Sequence, residues 1–122
     1  MTRLFLYGTL KRGGVSAHLL AGQRFLGEAR TRAAFRLYGL GGFPGMVPAA
    51  AGGRAIEGEL WEVDAECLAR LDRWEGLDEG LYVREPVPLL PPHDGAGAQA
   101  YLYCRSVAGK KDLGARFEAR VR

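Results

Sequence analysis

Short segments in which apolar and polar residues alternate recur along the chain, and this period of two predicts a sheet of short strands. Between them, residues 39–49 hold so many glycines and prolines that we expect an irregular loop crossing the core, anchored by Phe43 and Met46. Short, bent strands with glycine bulges tend to close into a small barrel. The predicted strands are 3–7, 24–38 (one bent strand, or two, with a possible bulge at Gly27), 55–63, 81–90 and 99–105.

Residues 64–76, DAECLARLDRWEG, have the helical period instead and predict one amphipathic helix. Asp64 is a good N-cap, and Gly76 can adopt the left-handed conformation that ends a helix. At about 100° per residue, Glu75 falls between two leucines on the apolar face, which must pack against the rest of the protein. The whole arc is Trp74, Cys67, Leu71, Glu75 and Leu68.

A carboxylate on a packed face is costly unless it is paired, hydrogen-bonded or neutral. At the last turn of the helix, Glu75 could swing out to solvent or pair with an arginine such as Arg84, which would lower its pKa. Alternatively, Glu75 is partly desolvated and has a raised pKa, like the groups that act as general acid/base near neutral pH. The helix alone leaves both interpretations open.

A glycine-rich turn, GTLKRGG, follows the first strand. Successive backbone N–H groups in such a turn can form a concave site for a carboxylate or phosphate, and Lys11 and Arg12 would add positive potential nearby. Many strands end in Gly-Thr, however, and on these residues alone a plain turn is the favoured interpretation. The P-loop pattern GxxxxGK[ST] is absent, and no second glycine fingerprint indicates a dinucleotide site.

Further glycine, proline and serine positions add local expectations. Gly58, on the inner face of its strand, indicates that a large side chain or a ligand approaches there. Pro86 and Pro88 require an edge or bulged strand. Ser16 is expected to cap a single helical turn over residues 16–20, and residues 106–122 are expected to form a short helix or a partly ordered tail.

Length and composition indicate a single domain over residues 1–122, with a core of about 3–105 and a basic C-terminal tail, 106–122. The apolar fraction of 48% and the charged fraction of 25% are those of an ordinary soluble protein. The first apolar run, residues 4–7, is too short for a signal peptide or a membrane span. We therefore expect a cytoplasmic protein with no membrane partner.

Cysteine and histidine usage indicates no metal site and no cofactor. Cys67 and Cys104 lie among apolar neighbours without a CxxC pattern, so we expect both to be buried free thiols. His18 and His93 do not complete a ligand cluster or a recognisable catalytic pair.

Charge is distributed in opposite halves. Residues 1–54 carry eight basic groups and one acid, whereas residues 56–85 carry ten acids and three basic groups. Such halves are consistent with packing against each other in one domain and argue against a nucleic-acid groove. Nucleic-acid or partner binding through the basic tail is a minor alternative.

The strand and turn LFLYGTLKRGG resemble the Tyr-Gly-x-Leu loop of the γ-glutamylcyclotransferase-like proteins, which include the γ-glutamylamine cyclotransferases. FPGMVPA, GELWEVD, LARLDRWEG and LYVRE follow in the order of that family. The resemblance covers roughly residues 3–105 and is specific in its combination of motifs.

This resemblance implies an α+β fold, a small mixed β-barrel of short bent strands with one main helix and one cavity. It also implies that backbone N–H groups of the loop bind the α-carboxylate of a γ-glutamyl group. The implied site comprises Glu75 as acid/base, Tyr7, Gly8, Thr9 and Leu10 as the floor, Tyr82 close by, and Tyr103 lining the cavity from the late strand.

The function implied is an enzyme that releases 5-oxoproline and a free amine from a γ-glutamyl amine or peptide. The substrate's own α-amine attacks its side-chain carbonyl, so the absence of a Ser/His or Cys/His pair fits this chemistry. The alternative is a binding module that holds a small amino-acid-like ligand in the same cavity without turnover. The identity of the leaving amine depends on the cavity rim, which is expected in the loops around Phe43 and His93. That identity and the oligomeric state stay open.

Overall fold

The computed structural model describes residues 1–118. Within these residues, eight strands form a single mixed sheet, and there is one α-helix. Two single turns of 3-10 helix, Ala17–Leu20 and Leu77–Glu79, lie in the connections. The elements are β1 Thr2–Leu6, β2 Arg24–Arg30, β3 Phe35–Gly39, β4 Pro44–Pro48, β5 Glu57–Val63, α1 Ala65–Trp74, β6 Tyr82–Pro86, β7 Gln99–Tyr103 and β8 Lys111–Asp112.

β7 organises the sheet because three strands pair with it. β6 runs antiparallel along its whole length, from Tyr82 opposite Tyr103 to Pro86 opposite Gln99. The other edge of β7 is shared by two parallel neighbours, β1 near Gln99 and β4 near Leu102. β1 and β4 therefore separate from each other along β7.

The sheet curls into a half-barrel. β5 pairs antiparallel with both β1 and β2, and the β2 register shifts between Phe25 and Gly27, as expected for a bulge. Beyond β2, the N–H of Leu90 donates to the carbonyl of Arg30 over 2.8 Å, which joins this end of the sheet to the segment after β6. The predicted small mixed barrel with one main helix is confirmed.

The core lies on both faces of the curled sheet. The inner cluster is centred on Phe5, Met46 and Leu60, and a second cluster under α1 includes Cys67 and Leu71; all five are 0–1% exposed. The prediction that a large group approaches Gly58 is also confirmed. A Cβ at Gly58 would lie 2.8 Å from the Phe5 ring and 2.5 Å from the Leu6 carbonyl oxygen.

The α-helix has the predicted caps. The Asp64 carboxylate accepts the Cys67 N–H over 2.7 Å, and Gly76 follows the helix with a φ of +69°. Trp74 does not pack as its arc predicted, because it lies at the last turn and is 56% exposed. Within residues 1–118, no helix combines the length and apolarity needed to cross a bilayer.

The prediction of an irregular loop over residues 39–49 is wrong for Pro44–Pro48, which form β4. The two prolines stand at the ends of this strand, where a missing N–H is tolerated, and β4 pairs with β3 over five residues. Met46 is fully buried, as expected of an anchor, whereas Phe43 is 39% exposed.

The chain end and two local predictions also differ. Lys111–Asp112 form β8 on the edge of β3, held by an ion pair of 2.9 Å between Arg36 and Asp112, so the described tail contains a short strand and no helix. The rest of the tail prediction, residues 119–122, lies outside the described residues. Ser16 precedes a 3-10 turn without a capping side-chain bond. Cys67 is buried as expected, but Cys104, which directly follows the last residue of β7, is exposed.

Candidate functional site

A cavity of about 400 Å³ opens where β1 and β4 separate along β7. Its walls come from the end of β1, the glycine turn, the residues before β4, the end of α1, and β6 and β7. Among its described lining residues Glu75 is the only carboxylate, and there is no Lys, Arg or His. The structure brings together six of the predicted site residues in this lining: Tyr7, Gly8, Thr9, Leu10, Glu75 and Tyr82.

The hydroxyl of Tyr7 bridges the gap between the separated strands. It donates to the carbonyl of Tyr101 in β7 over 2.5 Å and accepts the N–H of Met46 in β4 over 3.1 Å. Burial raises the pKa of Tyr7 well above its ordinary value, so the group stays neutral. With its hydroxyl occupied by the backbone, Tyr7 presents its ring as a wall of the cavity.

The turn after Tyr7 leaves backbone donors unused. The Lys11 N–H closes the turn onto the Gly8 carbonyl over 3.2 Å, and the Ser16 N–H donates to the Thr9 carbonyl over 3.0 Å. The N–H groups of Gly8, Thr9 and Leu10 make no hydrogen bond to an acceptor within residues 1–118. A side chain at Gly8 would meet the Pro44 ring at 3.0 Å, so glycine lets this backbone lie close to β4.

Glu59 holds this turn from the side away from the cavity. Its carboxylate accepts the Arg12 N–H over 2.9 Å, the Arg12 Nε–H over 3.2 Å and the Trp61 Nε1–H over 3.1 Å. Glu59 is 7% exposed and thus a buried carboxylate with its hydrogen-bonding capacity used. The guanidinium of Arg12 also stacks on the Phe25 ring at 3.7 Å.

Glu75 is the C-cap residue of α1, where its backbone N–H donates to the Leu71 carbonyl over 2.8 Å. This bond and the turn at Gly76 direct the Glu75 side chain into the cavity lining. Burial raises the pKa of Glu75 from 4.5 to about 7. Of the two interpretations of this residue, the structure supports the desolvated carboxyl group.

A polar network beside the cavity involves the neighbouring acid of the helix. Asp72 binds Arg84 of β6 at 3.0 Å and accepts the Tyr101 hydroxyl over 2.8 Å. Arg84 also donates to the side-chain carbonyl of Gln99. The network joins α1 to β6 and β7 and holds Tyr101 against the cavity.

The two predicted tyrosines outside the turn have different positions. Tyr82 lines the cavity, and its hydroxyl donates to the Pro44 carbonyl over 2.7 Å. Tyr103 does not belong to the lining. It pairs with Tyr82 across β6 and β7, packs edge-on against its ring at a centroid distance of 5.5 Å, and occupies the space left by Gly45.

The family model for γ-glutamyl cyclotransferase, AIG2-like, matches residues 4–118. The chain belongs to this family. The γ-glutamylcyclotransferase family protein YtfP of Escherichia coli is 33% identical over 111 residues, 89% of this chain and 88% of that protein. A Vibrio cholerae relative is 38% identical over 74 residues, which are 61% of this chain and 62% of its own length.

Solved structures agree with the fold. The solution structure of E. coli YtfP superposes with a TM-score of 0.69 at 32% identity and covers 93% of both chains. The crystal structure of an AIG2-like protein from mouse gives a TM-score of 0.72 at 25% identity, over 100% of this chain and 88% of that one. Membership of the γ-glutamylcyclotransferase family supports an enzyme.

Several lining residues of this family member were missed in the sequence. Tyr101 lies two residues before Tyr103 and therefore on the same face of β7, and this position was the available signal for it. Ser16, buried beside the glycine turn, had been interpreted as a helix cap. Phe43 lines the cavity, in agreement with the rim expected there, whereas Val15 and Trp74 have no signal in common, because only the fold brings their segments to one opening.

A larger cavity of about 570 Å³ lies on the other side of the glycine turn; its described lining includes His93, which the predicted rim placed at the other cavity, and does not include Glu75. Several of its charged groups are engaged: Arg12 pairs with Glu59, Arg116 with Glu57 at 3.8 Å, and Lys11 donates to the Phe117 carbonyl over 2.8 Å. Burial lowers the pKa of Lys11. Within residues 1–118, no three His, Cys, Asp or Glu side chains come together as a metal site.

Proposed function

We propose that this protein cyclises a γ-glutamyl amine or peptide to 5-oxoproline with release of the free amine. The observation that carries the proposal is Glu75, a carboxyl group with a pKa of about 7 in a cavity whose described lining offers no cation to neutralise it. Such a group gains and loses a proton easily at neutral pH, which is what proton shuttling requires.

The glycine turn is the proposed site for the α-carboxylate of the substrate. The free N–H groups of Gly8, Thr9 and Leu10 are suited to an anion, because successive backbone donors in a turn form a concave, positively polarised surface. Binding the carboxylate at this turn would orient the rest of the γ-glutamyl group into the cavity. Holding a substrate in a folded conformation lowers the barrier by proximity and orientation.

Glu75 is the proposed acid/base. As a carboxylate it takes a proton from the α-ammonium group, and the freed amine attacks the side-chain carbonyl carbon of the substrate. The tetrahedral intermediate then collapses as the bond from that carbon to the amide nitrogen breaks. Glu75 gives its proton to the departing nitrogen as this bond breaks. The new ring nitrogen then gives its extra proton to Glu75, which passes it to the released amine, so the products are 5-oxoproline and a protonated amine, no water is consumed and Glu75 ends as the carboxylate.

The tyrosines are assigned a structural contribution to this site. The hydroxyls of Tyr7 and Tyr82 donate to backbone carbonyls, and that of Tyr101 donates to Asp72. Their rings surround the cavity and keep it poor in water, which sustains the raised pKa of Glu75.

Product analysis tests the proposal. Purified protein is incubated with γ-glutamyl amines and γ-glutamyl dipeptides, and 5-oxoproline and glutamate are quantified. Cyclisation predicts 5-oxoproline and amine in equal amounts without glutamate. An N-acetylated substrate, which lacks the nucleophilic amine, should give no product. If no compound is turned over although the protein binds them, the cavity belongs to a non-catalytic binding module.

A further inference from the structure

Large apolar side chains surround the mouth of the cavity. Within residues 1–118, five large apolar residues are notably exposed, and three of them line this one cavity: Val15 at 59%, Trp74 at 56% and Phe43 at 39%. Exposed apolar surface is costly in water, and its concentration at one opening marks a place where a ligand covers it. We call Val15, Phe43 and Trp74 the apolar collar.

The collar is assembled from three separate segments. Val15 follows the glycine turn, Phe43 precedes β4, and Trp74 is the last residue of α1. Glu75 directly follows Trp74, so the collar begins beside the proposed acid/base. A substrate whose γ-glutamyl group occupies the cavity would therefore extend its leaving amine past Glu75 toward these side chains.

Charge at the mouth distinguishes between classes of leaving group. The described lining contains no cation, and Lys11 and Arg12 line the larger cavity instead. A carboxylate on the leaving group, as in a γ-glutamyl amino acid, would be desolvated without a partner. An ammonium group there would find only Glu75, which the reaction already uses. Desolvating an unpaired charge is strongly unfavourable.

We propose that the leaving group is an uncharged, apolar amine, so that the substrates are γ-glutamyl amides of alkyl or arylalkyl amines. This inference rests on the proposed function and narrows it. Burial of the alkyl group against the collar supplies favourable binding, whereas a carboxylate or ammonium group at the same position loses hydration without compensation.

A pair of substrates that differ by one carboxylate tests this directly. γ-Glutamyl-isopentylamine and γ-glutamyl-leucine share the leaving-group skeleton, and we expect kcat/KM to be at least about tenfold higher for the amine. In a second pair, which differs by one ammonium group, kcat/KM should likewise be higher for γ-glutamyl-pentylamine than for the γ-glutamyl derivative of 1,5-diaminopentane. Equal or higher efficiency with the charged member of either pair overturns the inference and leaves the proposed function intact.

Collar variants locate the effect. Trp74→Ala should lower kcat/KM for γ-glutamyl-isopentylamine several-fold. Phe43→Arg places a cation at the mouth, so it should reduce the ratio of kcat/KM for γ-glutamyl-isopentylamine to kcat/KM for γ-glutamyl-leucine. Val83→Ala is the matched control, because Val83 is also 39% exposed but lies outside the cavity lining. An equal loss in the Val83 variant contradicts the assignment.

The failure of the proposed function would be recognised separately. If no member of the series yields 5-oxoproline, the dissociation constants of the same two pairs are measured by calorimetry on the wild-type protein. Tighter binding of the uncharged members then supports the collar as a recognition site without turnover. Equal or tighter binding of the charged members contradicts the assignment of the collar as a site for uncharged, apolar groups.

Discussion

The guanidinium of Arg84 donates two hydrogen bonds to the carboxylate of Asp72, from Nε to Oδ1 over 3.0 Å and from Nη2 to Oδ2 over 3.1 Å. Glu75 lies three residues further along the chain and forms no ion pair within residues 1–118. An arginine beside Glu75 would lower the pKa of that group. Arg84 is engaged with Asp72 instead, and burial is the cause that raises the pKa of Glu75 to about 7.

Removing the pair should leave the titration of Glu75 in place. In the double variant Asp72→Asn with Arg84→Gln, both charges disappear together, and we expect the Glu75 pKa to stay near 7. The carboxyl carbon resonance of Glu75, followed by NMR over pH, measures this. A rise of the Glu75 pKa by about one or more in the double variant would mean that Arg84 does act on Glu75.

Activity should depend on the ionised form of Glu75. Since the carboxylate takes the ammonium proton, kcat/KM should rise with pH through about 7 and be roughly tenfold lower at about pH 6 than at about pH 8. Initial rates at low substrate concentration, in buffers of constant ionic strength, give this profile. A profile that is flat over this range would exclude Glu75 as the base.

Glu75 should also make stability depend on pH. Its pKa is about 7 folded and near 4.5 unfolded, so the unfolded chain loses this proton first as pH rises. The contribution of Glu75 to stability is complete below about pH 4.5 and declines until about pH 7, by about 3 kcal/mol at most. Glu75→Gln should therefore become more stable than the wild type at about pH 8.

Urea unfolding of both proteins at several pH values measures that difference. Subtracting the two curves removes the titration of all other groups. The opposite trend, in which the free energy of unfolding of the wild type increases relative to that of Glu75→Gln as pH rises, would indicate that a partner stabilises the Glu75 carboxylate.

Glu59 should matter more for stability than its neighbour Glu57 on the same strand. Glu59→Gln weakens charged hydrogen bonds to Arg12 and Trp61 in a buried position, and we expect a loss of about 1–3 kcal/mol. Glu57→Gln is the matched control. The Glu57 pair with Arg116 spans 3.8 Å between half-exposed side chains, so its loss should stay below about 1 kcal/mol. Equal free energies of unfolding would show that Glu59 does not anchor the turn.

Helical periodicity was sufficient to predict the position of Glu75, because a ten-residue helix with clear caps leaves one register for its apolar face. The turn after β1 was equally readable from Gly8 and its neighbours. Alternation within a strand could not decide between Tyr101 and Tyr103, since both lie on the same face of β7. Their difference depends on Gly45 and Tyr82, which reach β7 from elsewhere in the chain.

β4 was missed because prolines and glycines normally break strands, and local sequence does not reveal that Pro44 and Pro48 sit at strand ends. The split between β1 and β4, which forms the cavity, follows from that strand and was equally invisible. The apolar collar is a consequence of the same tertiary arrangement.

The most direct test of the account is kcat/KM for 5-oxoproline release from one γ-glutamyl amine, measured for the wild type and for Glu75→Gln at about pH 8. General acid/base catalysis contributes about 10²–10⁴-fold, so we expect a loss of that size with the fold retained. A Glu75→Gln protein that works at the wild-type rate would contradict the central role of Glu75.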